Sequence, residues 1–379
     1  MITYNNGIHE SRVRLEVDLG KIRSNVKKIR SAVAPCGVTA VLKANAYGLG
    51  VRKVAEACMD AGADSFGVAE LNEALRLIDM DVPVMILGNV LPDEISPAIA
   101  AGVILPVNDF AMAERISKEA LRQHKTARCQ FLVDTGMGRL GVLSGEAAEV
   151  ILKVSRLSNL DCFGIYSHFP VAYQGEDAYT IKQIEKFKLL LAELDKSGLG
   201  FKRIHMANSD AVNNFPQSCM APFNGVRTGL NIYGFFDNDV RQSLQLEPVI
   251  SLKTRLAAVR RLPAGACIGY GRTHKLLKDT LVGTIAAGYA DGLPLALSNR
   301  GYVLIRGQLC PVLGRVSMDY TTVALDVIPE AQCGDEVICI GTQGEASIPL
   351  SNWAQLKGTH PYELLCAMGS RVERVYYNS

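Results

Sequence analysis

No apolar run in this chain approaches the roughly 20 residues that a helix needs to cross a bilayer. The start, Met1 to Glu16, is polar and lacks the apolar stretch of a secretory signal. None of the ten cysteines forms a C-x-x-C pair, and no cysteine–histidine cluster has zinc spacing. Several, such as Cys58 and Cys129, lie inside apolar stretches, as small buried hydrophobes do in a reducing compartment. Neither sign of charge is in excess: 40 basic against 38 acidic residues leave a formal net charge of +2. That excludes a global field recruiting nucleic acid or an anionic membrane. No low-complexity segment is present. These absences lead to the expectation of a soluble cytoplasmic protein with no metal site, no disulfide framework and no nucleic-acid or membrane partner.

What is present is a regular alternation. At 379 residues, 48% of them apolar, the chain has room for two domains, or for one large barrel plus an addition. Short apolar runs occur at 38–43, 64–68, 84–87, 103–107, 129–134, 162–168, 203–207 and 224–227. Between the first two, Val51, Val54, Ala55, Cys58 and Met59 fall on one face of a helix. Leu71, Ala74, Leu75 and Ile78 repeat that pattern after the second run, and residues 177–194 carry a longer one. Eight strand–helix alternations favour a closed parallel (β/α)₈ TIM-type barrel, an α/β fold. The alternative is an open doubly wound sheet, but no G-x-G-x-x-G follows the first run. Beyond Phe236-Asp237-Asn238-Asp239 the texture changes. Strand-like runs at 249–259, 280–287, 302–305, 322–325 and 336–340 are separated by turn signals, and helical periodicity returns only at 350–356. The expected organisation is a barrel over residues 12–240 and a mostly β C-terminal domain over 241–379, joined by residues 1–11.

In a barrel of this kind chemistry gathers at the carboxyl ends of the strands. The first run ends at Lys43, where a buried amine loses affinity for its proton and becomes able to form a Schiff base. The bland alternative is a lysine emerging from a strand end into water. The fifth run leads into Asp134-Thr135-Gly136-Met137-Gly138-Arg139, and the sixth ends at Ser167-His168. The seventh carries His205 and leads to Asn208-Ser209, and the eighth ends at Arg227, followed by Thr228-Gly229-Leu230. Alone, His168 or His205 reads as a satisfied buried histidine, Arg139 or Arg227 as a structural ion pair, and Gly136 or Gly229 as a turn glycine. Together they place cations and glycine-flanked amides on one rim, with no acidic cluster for a metal. Such a rim suits a phosphate and an anionic organic substrate.

These segments resemble a known family. Val41-Leu42-Lys43-Ala44-Asn45-Ala46-Tyr47-Gly48 resembles the cofactor-lysine motif of the alanine racemases, pyridoxal phosphate (PLP) enzymes built on a barrel. Asp134 to Gly141, Asn208-Ser209, Val226-Arg227-Thr228-Gly229, Gly269-Tyr270-Gly271, Gly288-Tyr289-Ala290-Asp291-Gly292 and Gly314-Arg315-Val316-Ser317-Met318-Asp319 are similar to further motifs of that family, in order. The resemblance implies roles. Lys43 would carry pyridoxal 5'-phosphate and serve as one catalytic base. Arg227, supported by His205, would donate to the pyridine nitrogen. Arg139 would bond the phenolic oxygen, and His168 would lie against the ring. Tyr47, Asn208, Ser209, Tyr362 and the amides of Gly229 and Leu230 would hold the cofactor's phosphate end. Tyr270, delivered by the second subunit of a homodimer, would be the other catalytic base. Arg139, Met318 and Asp319 would bind the substrate. The implied activity is two-base interconversion of L- and D-alanine, supplying D-alanine for cell-wall peptidoglycan.

The chain also departs from the family pattern. Leu132 stands where many members have a carbamylated lysine beside the arginine that corresponds to Arg139. Leu49 stands at a usual histidine, Tyr173 at a usual acid, and Leu295 at the arginine of Gly-Tyr-Pro-Arg. The changes at Tyr173 and Leu295 fall where the family places its substrate corridor, and the departures together bear on substrate range. A broader racemase acting on serine or longer side chains is therefore the alternative. A PLP decarboxylase on the same barrel is disfavoured by Arg227 and Tyr270. A non-catalytic PLP-binding barrel is disfavoured by the long β-rich continuation.

Overall fold

A computed structural model describes residues 11–237 and 243–378. Residues 1–10, which the sequence assigns to the second domain, lie outside the described residues, as do Asn238, Asp239 and the expected junction at 240/241. The chain divides into two compact units, Leu19–Pro248 and a unit that joins the segment before Leu19 to Val249–Ser379.

Eight parallel strands build the first unit: Gly37–Val41, Ser65–Val68, Val84–Ile86, Leu105–Val107, Ala127–Asp134, Leu160–Tyr166, Arg203–His205 and Gly225–Thr228. Each lies within two residues of an apolar run in the sequence. The strands are buried on both faces, so they read as continuous runs without alternation. Phe66, Val68, Ile86, Phe131 and Val226 are all fully buried. The eighth strand pairs with the first. Ring closure between the third and fourth is a single bridge, Met85 to Ile104. There the Ile86 amide donates to the Ile104 carbonyl at 3.1 Å, and the Ile104 amide to the Val84 carbonyl at 2.9 Å. The sheet is therefore a barrel and not an open doubly wound sheet.

Two helices follow the sequence pattern and one departs from it. Val51–Asp60 buries Val51, Val54, Ala55, Ala57 and Cys58. Ala178–Lys196 is capped by Asp177, whose carboxylate accepts from the Thr180 amide at 2.7 Å. The apolar repeat at Leu71, Ala74, Leu75 and Ile78 yields only the five-residue helix Leu71–Leu75. One and a half turns bury Leu71 and Ala74 but leave Leu75 and Ile78 exposed. Among the described residues no helix is long and apolar enough to cross a membrane.

The second unit is a mostly antiparallel sheet of nine strands. Its long strand, Ile250–Leu262, pairs with Glu336–Gln343 over its first half and with Thr280–Ile285 over its second, which folds the sheet back on itself. Strand Arg14–Asp18, inside the span expected for the barrel, belongs here instead. It pairs antiparallel with Ile250–Leu262 and parallel with Glu373–Tyr377. The reason is its alternation. Leu15 and Val17 are buried while Arg14, Glu16 and Asp18 are not, the pattern of a strand with one wet face. Leu15→Ala should therefore cost about 2–5 kcal/mol of the second unit's stability. Amide exchange resolved by peptide checks this: exchange should rise in the strands of that unit and stay unchanged in the barrel strands.

Candidate active site

Arg227 organises the barrel rim. It sits on the eighth strand, beside Thr39 of the first, and only 5% of it reaches solvent. A guanidinium has only donors to offer, so burial is tolerable only if acceptors surround it. One terminal nitrogen donates to His205 Nδ1 at 2.6 Å. The other donates to the Ser167 carbonyl at 2.8 Å, His168 Nδ1 at 3.2 Å and the Met206 carbonyl at 3.3 Å. Because Nδ1 of His205 must accept, its proton is on Nε2, which donates to Gln130 Oε1 at 3.2 Å. Gln130 in turn donates to the Ile86 carbonyl at 3.3 Å. Tyr166 stacks on the His205 ring with 5.1 Å between centroids, and the guanidinium lies 5.2 Å from the Tyr166 ring centre. Burial lowers the Arg227 pKa to about 10.

Both histidines are neutral in this setting. Burial, then Arg227, pushes His205 well below the usual histidine range. His168 is brought down to about 3 by burial, then by the charges of Arg227, Arg139 and Lys43. Lys43 and Arg139 therefore share the rim with Arg227 and His168.

Lys43 lies just past the first strand, which ends at Val41. The expectation of a buried amine is corrected: Leu42 is buried, and Lys43 is exposed. After it the backbone makes a left-handed turn. Ala44, Asn45, Ala46 and Tyr47 have φ of 53°, 56°, 55° and 55°. Each such L-residue costs about 1–2 kcal/mol, and four in succession are rare. The turn is held by the Ala46 amide donating to the Leu42 carbonyl and the Gly48 amide to the Ala44 carbonyl, both at 2.8 Å. The Glu73 carboxylate accepts from the Ala44 amide at 2.5 Å and the Ala69 amide at 2.8 Å.

The turn delivers Tyr47 inward, where its ring meets Tyr233 edge-on at 5.4 Å. A Cβ on residue 229 would lie 2.4 Å from the Tyr47 hydroxyl, so Gly229 alone admits that oxygen. The Gly229 amide donates to the Ser209 hydroxyl at 2.9 Å. Two hydroxyls and the buried backbone at Gly229 and Leu230 thus converge. Asn208 is committed to capping helix Ser209–Asn214, where it accepts from the Ala211 amide at 2.9 Å. Asp134 folds the loop ahead of Arg139 by accepting from the amides of Gly136, Met137 and Gly138 at 2.7–2.9 Å. Arg139 itself is exposed and has no hydrogen-bond or ion-pair partner among the described residues. Leu132, on the strand that leads to this loop, is buried.

The remaining expected site residues stand in the second unit. Tyr270 opens a short turn and is 73% exposed, an unusual setting for so large an apolar ring. Met318 is likewise exposed. Asp319 pairs with Arg371 at 2.7 Å, and the same guanidinium binds buried Asp291 through two nitrogens at 2.7 and 2.9 Å. Asp291 also accepts from the Gly288 amide at 2.9 Å. The Gly-Tyr-Ala-Asp-Gly segment is thus a brace for the Met318 loop: the amides of Tyr289 and Ala290 donate to the carbonyls of Ser317 and Met318 at 2.9 and 3.1 Å. A Cβ on Gly288 would meet the Ser317 carbonyl oxygen at 2.2 Å. Tyr362 lies on helix Pro361–Cys366, edge-on to His360 at 5.5 Å.

Family models for the alanine racemase N-terminal domain and C-terminal domain match residues 17–236 and 249–376. The chain belongs to the alanine racemase family. That makes it an amino-acid isomerase. It is 38% identical to an alanine racemase of Desulforamulus reducens over 367 residues, covering 95% of this chain and 98% of that one. The solved alanine racemase of Streptomyces lavendulae superposes with a TM-score of 0.91 at 31% identity, over 98% of each chain. An alanine racemase from Bartonella henselae, solved with covalently bound pyridoxal phosphate, gives 0.87 at 30% identity, over 97% of this chain and 100% of that one.

Sequence reading of this racemase missed Tyr166, Gln130 and Glu73. Tyr166 ends the sixth strand, two residues before His168. Gln130 is a polar residue within an apolar run, which was a readable signal. Glu73 carried none, because its partners are backbone amides. Of the departures from the family pattern, Leu49 is buried, Tyr173 is half-buried and Leu295 is exposed.

The neutral histidines set a pH dependence. The unfolded chain takes up their protons below about pH 6.5, whereas folded His168 resists until about 3. Their contribution is complete above pH 6.5 and declines as pH falls from there toward 3. Each accounts for up to about 1.4 kcal/mol per pH unit. Urea unfolding between pH 7.5 and 5.0 should show that slope, and His168→Asn should reduce it by about one proton; an unchanged slope contradicts the burial of a neutral ring.

Proposed function

We propose that this chain interconverts L- and D-alanine with pyridoxal 5'-phosphate, as a cytoplasmic homodimer that supplies D-alanine for cell-wall peptidoglycan. The observation that carries the proposal is the Arg227–His205–Gln130 chain, which presents a fixed donor on the same rim as Lys43 and Arg139. The residues fit that cofactor. Lys43 is the amine that would bind its aldehyde. Tyr47, Ser209 and the backbone at Gly229 and Leu230 form the cradle for its phosphate, with Asn208 holding the helix that carries Ser209. By the family resemblance, Tyr362 would also contribute to the phosphate end. His168 would lie against its ring, and Arg139 beside its phenolic oxygen.

Pyridoxal phosphate, when bound, draws electron density from the substrate Cα and makes its proton removable. Inversion then needs a base on each face. Lys43 Nζ takes or returns the proton on the D face. Tyr270 Oη, from the partner subunit, acts on the L face, and its exposure in the single chain is consistent with a role at a subunit boundary. Arg227 keeps its own proton and can only donate, so it would hold the cofactor's ring nitrogen unprotonated and thereby restrain transamination. By the family resemblance, Arg139 and Met318 would each contribute to binding the substrate. Asp319, tied to Arg371, shapes the Met318 loop.

The purified protein with PLP, given each L-amino acid separately and resolved on a chiral column, should form D-alanine from L-alanine alone. Inversion of many amino acids would replace this reading with a broad-range racemase, and carbon dioxide release would replace it with a decarboxylase. Lys43→Ala should abolish borohydride trapping of the cofactor; retained trapping means that another lysine holds it. Arg227→Glu should increase pyruvate formed by transamination, and an unchanged yield refutes the role assigned to the guanidinium.

A further inference from the structure

We propose that Glu73 is a positioning residue for Lys43 and Tyr47, an inference that rests on the reading of Lys43 as the cofactor lysine. The left-handed turn Ala44–Tyr47 joins those two side chains. Most of its hydrogen bonds are local. Ala46 bonds back to Leu42, Gly48 to Ala44, and Gly50 to the Asn45 carbonyl at 3.0 Å, while the Asn45 side chain accepts from the Val51 amide at 3.0 Å. Such bonds fix the shape of the turn but not its direction from the barrel.

Glu73 supplies direction. One carboxylate oxygen accepts the Ala44 amide at 2.5 Å, and the other accepts the Ala69 amide, just past the second strand, at 2.8 Å. The carboxylate therefore ties the end of the first strand to the end of the second. The Ala44 N–H belongs to the peptide plane that follows Lys43, so holding it sets the ψ of Lys43 and the direction in which its side chain leaves. The alternative role for Glu73 is to cap its own helix, Leu71–Leu75. The Ala69 contact serves that cap; the Ala44 contact does not. A charged acceptor makes both bonds stronger than a neutral one would, and a glutamine has only one oxygen with which to accept.

The test compares Glu73→Ala and Glu73→Gln with Glu70→Ala. Glu70 precedes the same helix, and its side chain makes no capping bond. Borohydride trapping on the wild-type protein comes first; if Lys43 is not labelled, the cofactor reading itself fails and the inference falls with it. With labelling established, Glu73→Ala should speed loss of PLP during dialysis by about tenfold. The kcat for alanine should fall by at least about tenfold with KM little changed. Hydrogen exchange in the peptide covering residues 42–50 should accelerate, and Glu73→Gln should be intermediate in all three. Glu73→Ala behaving as Glu70→Ala does overturns the proposal. Faster exchange without any change in PLP loss or kcat overturns it too, since the clamp would then not act on the lysine.

Discussion

A guanidinium sunk into the end of a barrel strand must be met by acceptors on every side, and much of the rim exists to meet Arg227. Backbone carbonyls at Ser167 and Met206 face it because the sixth and seventh strands end there. His205 faces it as a neutral acceptor because Gln130 takes the proton of its far nitrogen. Removing any member leaves a buried polar group unpaired, so the set is coupled. Burial first, and then the charges of Arg227, Arg139 and Lys43, keep His168 neutral. Fixed positive charge and fixed donors on one rim suit an anionic ligand.

The other constraint is backbone geometry. A left-handed turn of four non-glycine residues persists only where its surroundings over-determine it. Here local hydrogen bonds shape it and Glu73 anchors it. Strain at this point accompanies orientation: the turn begins at Lys43 and ends at Tyr47. The second unit shows the same division between chemistry and support. Gly288 lets the Met318 loop lie against the Gly-Tyr-Ala-Asp-Gly segment, and Arg371 ties Asp291 to Asp319.

Much of this architecture was legible in the residue order. The eight barrel strands were readable because most of their residues are buried, so they appear as short, largely apolar runs. Strand Arg14–Asp18 was not assigned to its sheet, because its partners lie more than 200 residues away in sequence and only its alternation hinted at them. Leu75 and Ile78 continued a helical pattern that the chain does not complete, since periodicity alone does not tell where a short helix stops. The motifs drew attention to Lys43, Arg227 and Tyr270. They said nothing of Glu73, whose bonds go to backbone amides that any residue would supply.

From sequence alone came the family, the barrel, and a list of candidate site residues, because apolar period, strand-end position and motif order are one-dimensional properties of the chain. Tertiary structure decided which nitrogen of His205 carries the proton, that Lys43 is exposed, and that Asp319 is tied to Arg371. Those outcomes depend on which acceptors and which volumes arrive from distant segments, and distance in space is not written in residue order.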